Sequence, residues 1–475
     1  MLDKVHEECG VFGIYDEEGC DVVQETYLAL YALQHRGQAS CGIAVSDDGV
    51  VSACKDNGVI TEVLTPKAMK GLGKGKIAVG HVRYAAKGDT ERANAQPLVM
   101  RYSKGTLCIA HNGAISNTAD IRRDLEQGGA IFQTTSDAEL ISYVIAQERI
   151  TALSIEEAVQ NAMKRLKGAY SLAVMSPHKL IAARDPNGFR PLCIGKLGKS
   201  FMIASESCAF DSLGGEFVRD VLPGEVVVCD EDGVRSLTEH CGGKSSFCVF
   251  EYIYFARPDS VLEGESVHMS RQKMGACLAQ AHPVEADVVC GVPDSGIDAA
   301  IGYANESGVP YGLALIKNKY IGRTFIQDTD AKRRNAVRIK LNVLAASVKD
   351  KRVVLVDDSI VRGTTCERIV RLLREAGAKE VHMRISSPPF LHPCYFGTDI
   401  SSHDNLIACK MTQEEICQAI GADSLGFLPI EFIPQIAGQC KLGLCDACFT
   451  GNYPIEIPPR QPKSKYEQKI RQVEV

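Results

Sequence analysis

Long hydrophobic runs are missing from this sequence of 475 residues. Because no stretch of about 18 or more apolar residues occurs, we expect no membrane-spanning helix. The first eight residues also lack an apolar core and contain Glu7 and Glu8, which argues against a secretory signal. A strong excess of one charge is missing too, since the formal net charge is -6 at pH 7. We therefore expect a cytoplasmic protein that binds neither membranes nor nucleic acids.

Repeats and low-complexity segments are also absent, and the composition is that of a chain with substantial cores. Hydrophobic residues make up 45% of the sequence, and a chain of this length favours two domains or more. The 19 cysteines are too scattered for a small disulfide scaffold. In a cytoplasmic chain we expect most of them to be free thiols, with a minority that binds a metal or takes part in catalysis.

The most informative segment covers residues 353–365, VVLVDDSIVRGTT. It begins with a short β-branched run, typical of a central strand in a parallel sheet, and ligands bind at the carboxyl ends of such strands. Asp357 and Asp358 follow, and a loop of small and hydroxyl residues then precedes a helical pattern that stops at Gly377. Such a loop can hold a phosphate at the helix N-terminus. A strand, two acids and a loop of this kind, taken alone, are explained about as well by a solvated acidic turn as by a phosphate-binding loop.

The complete string resembles the loop with which type I phosphoribosyltransferases bind phosphoribosyl pyrophosphate (PRPP). The resemblance implies that the two acids hold the ribose hydroxyls and that the end of the loop grips the 5′-phosphate. The PRPP-binding residues expected from it are Asp357, Asp358, Ser359, Arg362, Gly363, Thr364 and Thr365. It also implies a Mg²⁺ site formed by Ser295, Asp357 and Asp358. The basic tract of residues 317–340 matches the family's flexible catalytic loop, although such a tract by itself is usually a solvated surface.

Five short motifs occur in order in the first half of the chain. They are CGVFGI (residues 9–14), LQHRGQ (33–38), GHVRYAAKG (80–88), AHNGAISN (110–117) and TSDAEL (135–140). By itself, a cysteine that begins a strand, such as Cys9, is most often a buried apolar residue. The ordered set, however, resembles the glutaminase domain of N-terminal nucleophile amidotransferases. We expect a helix over residues 25–34 between the first two motifs.

In that family the nucleophilic cysteine is the first residue of the mature chain, so the resemblance implies that residues 1–8 are a propeptide. The Cys9 thiolate would attack the side-chain amide of glutamine, with its own free α-amino group as the base. Asn112 and Gly113 match the oxyanion hole. Taken singly, Arg83 and Asp137 would be interpreted as residues of surface salt bridges. Within the ordered motifs, Arg83 and Asp137 match the positions that bind the α-carboxylate and α-ammonium groups of glutamine.

Cys445 and Cys448 form a CxxC pair that on its own fits zinc, a redox pair or an iron–sulfur site. Cys248 and Cys394 occupy positions where some amidotransferases of this kind carry ligands of a [4Fe-4S] cluster. The resemblance therefore implies a cluster bound by Cys248, Cys394, Cys445 and Cys448. Cys440 lies nearby and is an alternative ligand.

The expected fold combines α/β and α+β architecture. Residues 9–240 are predicted to form the αββα sandwich of an N-terminal nucleophile domain, and residues 247–475 a type I phosphoribosyltransferase domain with a mainly parallel sheet. The polar stretch of residues 230–246 is interpreted as the link between the two domains.

The two resemblances together imply an enzyme that releases ammonia from glutamine and transfers it to C1 of PRPP. The products would be 5-phosphoribosylamine and pyrophosphate, at the first step of de novo purine synthesis. They also imply an internal passage for ammonia, purine nucleotides as feedback inhibitors, and a homo-oligomer, by family resemblance a tetramer. Two alternatives lack part of the pattern: an aminosugar synthase should lack residues 353–365, and a nucleotide sensor on the phosphoribosyltransferase fold would not need the five glutaminase motifs.

Overall fold

The computed structural model describes residues 9–85, 91–318, 341–400 and 402–457. The predicted propeptide, residues 1–8, lies outside these ranges, and so does most of the predicted flexible loop, residues 319–340. Within the described ranges, no helix is both long and apolar enough to cross a membrane.

The first half of the chain contains two antiparallel sheets. The strands of the first sheet are Gly10–Tyr15 (β1), Ser40–Asp47 (β2), Val50–Asn57 (β3), Ile77–Arg83 (β4), Cys193–Leu197 (β9), Ser200–Ala204 (β10) and Glu216–Asp220 (β11), in the order β11-β9-β10-β1-β4-β2-β3. Those of the second sheet are Leu98–Tyr102 (β5), Gly105–Ile115 (β6), Gly168–Met175 (β7), Leu180–Arg184 (β8), Val226–Asp230 (β12) and Gly233–Leu237 (β13), in the order β13-β12-β8-β7-β6-β5.

Alternating side chains explain how the sheets stack. On β1, Val11 packs in the core between the two sheets together with Ala110 of the second sheet, whereas Phe12 packs on the outer side with Leu30 of the first helix. The helices of this half are Val22–Ala32 (α1), Ile60–Val63 (α2), Pro66–Lys70 (α3), Thr118–Gln127 (α4), Asp137–Glu148 (α5), Ile155–Met163 (α6) and Cys208–Asp211 (α7). Helices α5 and α6 cover the outer side of the second sheet. The predicted αββα sandwich is confirmed.

The second half contains a parallel sheet with helices on both sides. Its strands are Val288–Gly291 (β17), Arg352–Asp357 (β20), Glu380–Ile385 (β21) and Ser424–Phe427 (β22), in the order β17-β20-β21-β22. Val354 and Val356 pack towards helices Val267–Ala281 (α8) and Ile297–Ser307 (α9). Val353 and Leu355 pack towards Thr364–Glu375 (α11) and Gln413–Ile420 (α12). Burial on both sides is what the apolar run of the central strand predicts.

The remaining elements of the second half are short. They are the strands Phe247–Cys248 (β14), Val261–Leu262 (β15), Glu265–Ser266 (β16), Leu315–Lys317 (β18), Leu341–Val343 (β19) and Leu444–Cys445 (β23), the helices Ala345–Val348 (α10), Ile433–Ile436 (α13) and Ala447–Thr450 (α14), and a π-helical turn, Glu251–Phe255.

Two details of the sequence interpretation are wrong. The stretch of residues 230–246 is not link throughout, because β13 pairs with β12 and places Val234 and Leu237 against the cores of the sandwich. Only its second part connects the two halves. The helix predicted over residues 25–34 begins earlier, at Val22, because the side chain of Asp21 accepts hydrogen bonds from the first free N–H groups.

Candidate active sites

The first candidate site lies where β1 begins and β4 ends. In the antiparallel pairing of these strands Gly10 lies opposite Val82, so Cys9 comes beside Arg83. Val11 contributes to the core between the sheets, and the alternation along a strand places the Cys9 side chain on that same side. The structure therefore brings the predicted nucleophile and the predicted carboxylate-binding arginine together.

The predicted oxyanion hole, Asn112 and Gly113, lies on β6 of the facing sheet. The Asn112 side chain is fully buried, yet in the described part of the chain neither its oxygen nor its nitrogen has a hydrogen-bond partner. Because leaving a buried amide unsatisfied is costly, it marks a place where a ligand can supply the partner. Gly113 has a φ of 133°, and an added Cβ would lie 2.2 Å from the carbonyl oxygen of Ala169. Only glycine fits at this position.

His81 connects the two sheets at this site. Sequence reasoning missed it, although it lies within the motif GHVRYAAKG. Its Nε2 lies 3.0 Å from the carbonyl oxygen of His111, the residue before Asn112. Burial is the largest influence on the pKa of His81 and lowers it to about 3. The ring is therefore neutral at pH 7, and Nε2 donates the hydrogen bond that links the oxyanion-hole strand to β4.

Asp137 is the first residue of α5 and lies close to the same strand. Its Oδ2 accepts a hydrogen bond from the backbone N–H of Ile115 at 2.8 Å, and its Oδ1 accepts one from Oγ1 of Thr118 at 3.3 Å. Ile115 lies two residues after Gly113 on β6. All five residues predicted for the glutaminase site thus lie at one end of the sandwich.

Arg36 is a second residue that sequence reasoning missed, although it lies within LQHRGQ. Its Nε donates a hydrogen bond to the backbone carbonyl of Cys9 at 3.0 Å. Its guanidinium group is fully buried and forms ion pairs with Glu206 and Glu251. Glu251 also pairs with Arg190. We refer to these four charged side chains as the interdomain ion cluster.

The second candidate site lies at the carboxyl end of the central strand β20. Asp357 and Asp358 are both buried there, and the backbone N–H of Asp358 donates to Oδ1 of Asp357 at 3.0 Å. The chain then turns at Gly363, whose φ is 82°, and enters α11 at Thr364. An L side chain rarely adopts this φ. As predicted, the loop residues therefore precede the N-terminus of a helix of 12 residues, where backbone N–H groups attract anions.

Ser295 reaches this site from the turn that follows the neighbouring strand β17. Its Oγ donates a hydrogen bond to Oδ2 of Asp358 at 2.7 Å, so the structure brings the predicted magnesium residues together. In the described ranges, no group of three or more histidine, cysteine, aspartate or glutamate side chains is placed to hold one metal ion. Two carboxylates and a hydroxyl form a smaller set, which suits Mg²⁺ when substrate phosphate oxygens complete its coordination.

Four of the predicted cluster ligands line a single cavity. Cys248 on β14 lies opposite Cys445 on the parallel strand β23, and Cys394 and Cys448 complete the set. Phe189, Phe396, Tyr453 and Arg190 form other parts of the wall. Burial raises the pKa of Cys248 to about 12. The pKa of Cys445 is raised as well, first by burial and then by the neighbouring Cys248.

Cys440, the alternative ligand, does not line this cavity. It lines a separate groove together with Ile433, Leu442 and Asp446. Its Sγ lies 3.8 Å from the carbonyl oxygen of Leu442. Sequence proximity to the CxxC pair is therefore a poor guide here, because the turn before β23 directs Cys440 to a different place.

The two halves match different family models. The model of a glutamine amidotransferase domain matches residues 81–212, and the model of a phosphoribosyl transferase domain matches residues 268–386. Together with the two sites, this defines the class of the protein, a glutamine amidotransferase joined to a phosphoribosyltransferase in one chain.

Relatives match over nearly the whole length. Amidophosphoribosyltransferase of Bacillus subtilis is 48% identical over 461 residues, which cover 96% of this chain and 96% of that protein. Amidophosphoribosyltransferase of Archaeoglobus fulgidus is 46% identical over 452 residues, which cover 95% of this chain and 98% of that protein. A solved structure of the B. subtilis glutamine PRPP amidotransferase, complexed with ADP and GMP, has a TM-score of 0.88 at 48% identity and covers 94% of this chain and 98% of that chain.

The chain belongs to the amidophosphoribosyltransferase family. Its two domains are the ones that glutamine-dependent amination of PRPP in purine biosynthesis requires. The aminosugar synthase and the non-enzymatic nucleotide sensor are both excluded, because the relatives that match nearly the whole chain are amidophosphoribosyltransferases.

The buried neutral state of His81 predicts a specific pH dependence of stability. Its pKa is about 3 in the folded protein, against an ordinary value of 6.5, so the unfolded state binds more protons between these values. The contribution is fully present above pH 6.5 and is lost as the pH falls towards 3. In His81→Gln the free energy of unfolding should therefore depend less steeply on pH in this window, by up to about 1.4 kcal/mol per pH unit.

The measurement is urea unfolding at several pH values between 4 and 6.5. His178→Gln makes the same chemical change at an exposed position and serves as the matched control. An equal slope in wild type and His81→Gln would contradict a neutral His81.

Proposed function

We propose that Cys9 is the nucleophile of the glutaminase half-reaction. The observation that carries this proposal is the fully buried Asn112 amide without a partner in the described chain, at the same end of the sandwich as Cys9. The Sγ thiolate attacks the side-chain amide carbon of glutamine, and the oxyanion accepts hydrogen bonds from the Asn112 amide and the Gly113 N–H. Ammonia then leaves with the proton taken from the thiol, and water hydrolyses the thioester to glutamate.

Removal of residues 1–8 gives Cys9 the base that this step needs. The free α-amino group of the same residue lies close enough to take the thiol proton, whereas an amide nitrogen cannot accept one. Arg83 binds the α-carboxylate of the substrate and Asp137 its α-ammonium group. Their support is their place beside Cys9 and beside the oxyanion-hole strand, respectively.

We further propose that residues 357–365 bind PRPP. The loop N–H groups and the hydroxyls of Thr364 and Thr365 hold the 5′-phosphate at the N-terminus of α11, while Asp357 and Asp358 accept the ribose hydroxyls. Ammonia attacks C1, and the C1–O bond to pyrophosphate breaks. Ser295 would join the two acids in holding Mg²⁺, which when bound neutralises charge on the leaving pyrophosphate.

The cavity lined by four cysteines is proposed to hold a [4Fe-4S] cluster. Thiolates are the ligands that such clusters require, and the cavity offers four of them beside the aromatic rings of Phe189, Phe396 and Tyr453. The guanidinium group of Arg190 lies beside the thiols and favours their charged form. Because neither half-reaction transfers electrons, the role of the cluster is structural: it ties together segments that are far apart in sequence.

Purine nucleotides are proposed as feedback inhibitors. A loop that grips the 5′-phosphate of PRPP offers the same contacts to a nucleotide phosphate, and the solved B. subtilis relative is complexed with ADP and GMP. By family relationship we also propose a cytoplasmic homo-oligomer, in which an internal passage carries ammonia between the two sites.

Two substitutions should separate the half-reactions. Cys9→Ala should abolish amination of PRPP with glutamine but keep amination with ammonia, because the second site retains its residues.

Asp358→Asn should lower the rates of amination with glutamine and with ammonia by about a hundredfold or more, while Cys9 still reacts with an electrophilic glutamine analogue. Pyrophosphate release with each nitrogen donor measures both effects. Cys54→Ala, which removes a half-buried cysteine of the edge strand β3, is the control and should keep both activities.

Equal loss of both activities in folded Cys9→Ala would contradict the separate sites. Unchanged pyrophosphate release in Asp358→Asn would contradict the PRPP assignment.

The cluster proposal predicts a brown protein with about four iron atoms per chain after anaerobic purification. Cys445→Ser should contain little iron, become sensitive to protease and retain residues 1–8, because removal of the propeptide requires a folded chain. Cys440→Ser is the matched control and should keep its iron, since Cys440 lies outside the cavity. Iron and sulfide analysis measures the cluster content, and intact mass spectrometry shows whether residues 1–8 are retained. A colourless, fully active Cys445→Ser protein that begins at Cys9 would show that these cysteines are only buried thiols.

A further inference from the structure

The interdomain ion cluster brings a carboxylate of the second domain next to the nucleophilic residue of the first. Arg36, Arg190 and Glu206 belong to the first domain and Glu251 to the second, and all four side chains are fully buried. Within these four side chains two positive and two negative charges balance each other, and Nε2 of His35 lies 2.8 Å from Oε1 of Glu206. Since an unbalanced buried charge is strongly unfavourable, the cluster depends on Glu251, which reaches it only when the domains are docked.

Every nitrogen of the Arg36 guanidinium group is held. The Nε donates to the carbonyl oxygen of Cys9 at 3.0 Å. The Nη1 donates to Glu206 at 2.6 Å and to Oε2 of Glu251 at 2.9 Å, and the Nη2 donates to Oε1 of Glu251 at 2.9 Å. The contact between Arg36 and Glu251 is therefore bidentate, a geometry that fixes the plane of the guanidinium group.

Arg190 holds the Glu251 carboxylate from the other side. Its Nη1 donates to Oε1 of Glu251 at 3.1 Å. Its Nη2 donates to the carbonyl oxygen of Phe396 at 2.8 Å, so Arg190 is itself anchored on the second domain. The Oγ of Ser171, which lies opposite Asn112 in the sheet, donates to the carbonyl oxygen of Arg190 at 3.3 Å. The cluster thus contacts Cys9 on one side and the strand beside Asn112 on the other.

We propose that Glu251 is a positioning residue through which the second domain controls the nucleophile of the first. It acts through Arg36, whose Nε holds the backbone of Cys9, and so rests on the proposed role of Cys9. When Glu251 is withdrawn, Arg36 loses its bidentate partner and the Cys9 carbonyl loses a fixed donor. Small displacements of a nucleophile lower the rate steeply. Glutamine is therefore hydrolysed efficiently only while the ammonia-accepting domain is docked.

The test compares two carboxylates that cross the same domain interface. Glu251→Gln keeps the shape of the side chain but removes its charge. It should lower kcat for glutamine hydrolysis about tenfold or more with little change in KM, and slow the alkylation of Cys9 by a diazoketone analogue of glutamine to a similar degree. Amination of PRPP with ammonia should stay at the wild-type rate, because no residue of the second site is altered. Glu251→Asp, which keeps the charge, should recover part of the alkylation rate.

Glu263 supplies the matched control. It pairs with the buried Arg184 of the first domain at 2.6 Å. Among the described residues, Arg184 also donates to the backbone carbonyl oxygens of Gly188, Arg190 and Val221. Because none of these contacts holds Cys9 or the guanidinium group of Arg36, Glu263→Gln should leave the alkylation rate unchanged. Equal slowing in Glu251→Gln and Glu263→Gln would reduce the effect to general loosening of the interface and overturn the proposal. So would wild-type alkylation in Glu251→Gln. Peptide mapping of the alkylated wild-type protein identifies the residue that carries the label. A label on a residue other than Cys9 would overturn the proposed nucleophile itself.

Discussion

The burial of the interdomain ion cluster is the constraint that ties the first site to the second domain. Breaking a buried, hydrogen-bonded ion pair costs about 3–5 kcal/mol, whereas an exposed pair such as Lys317–Asp294 contributes about 0–1 kcal/mol. Burial by itself would raise the pKa of Glu206, but His35 and Arg36 together hold it well below its usual range, so this carboxylate of the cluster stays ionised. Separation of the domains would break the ion pairs of Glu251 with Arg36 and Arg190, which favours the docked arrangement.

The position of each site follows from the strand ends that surround it. Cys9 and Arg83 meet because β1 and β4 are antiparallel neighbours, and Ser295 meets Asp358 because β17 and β20 are parallel neighbours. The reaction needs the Cys9 site and the Asp357–Asp358 site in one molecule, because ammonia that is released into water at neutral pH is mostly protonated and is then no longer a nucleophile. A link that makes hydrolysis of glutamine depend on the docked acceptor domain limits the loss of nitrogen to solvent.

Those parts of the fold and of the two sites that depend on residues close together in the sequence could be predicted from it. The apolar run before Asp357 predicted a strand buried on both sides. The five ordered motifs predicted the residues that lie together at one end of the sandwich. The partners of Arg36 could not be predicted, because Glu251 lies 215 positions away and only the packed domains bring it there. His81 was missed for the same reason, since its partner is a backbone carbonyl on another sheet. The strand β13 was missed because only Val234 and Leu237 of its five residues are apolar and pack against the cores.

The internal passage proposed above would carry one nitrogen atom from the Cys9 site to the Asp357–Asp358 site within the docked enzyme. The direct measurement supplies glutamine labelled with ¹⁵N in its amide group, PRPP, and an excess of unlabelled ammonium near neutral pH, and determines the isotope content of the trapped 5-phosphoribosylamine. We expect most of the product to carry ¹⁵N despite the excess. Product with the isotope ratio of the bulk ammonium would contradict the account, because the nitrogen would then have equilibrated with solvent between the two sites.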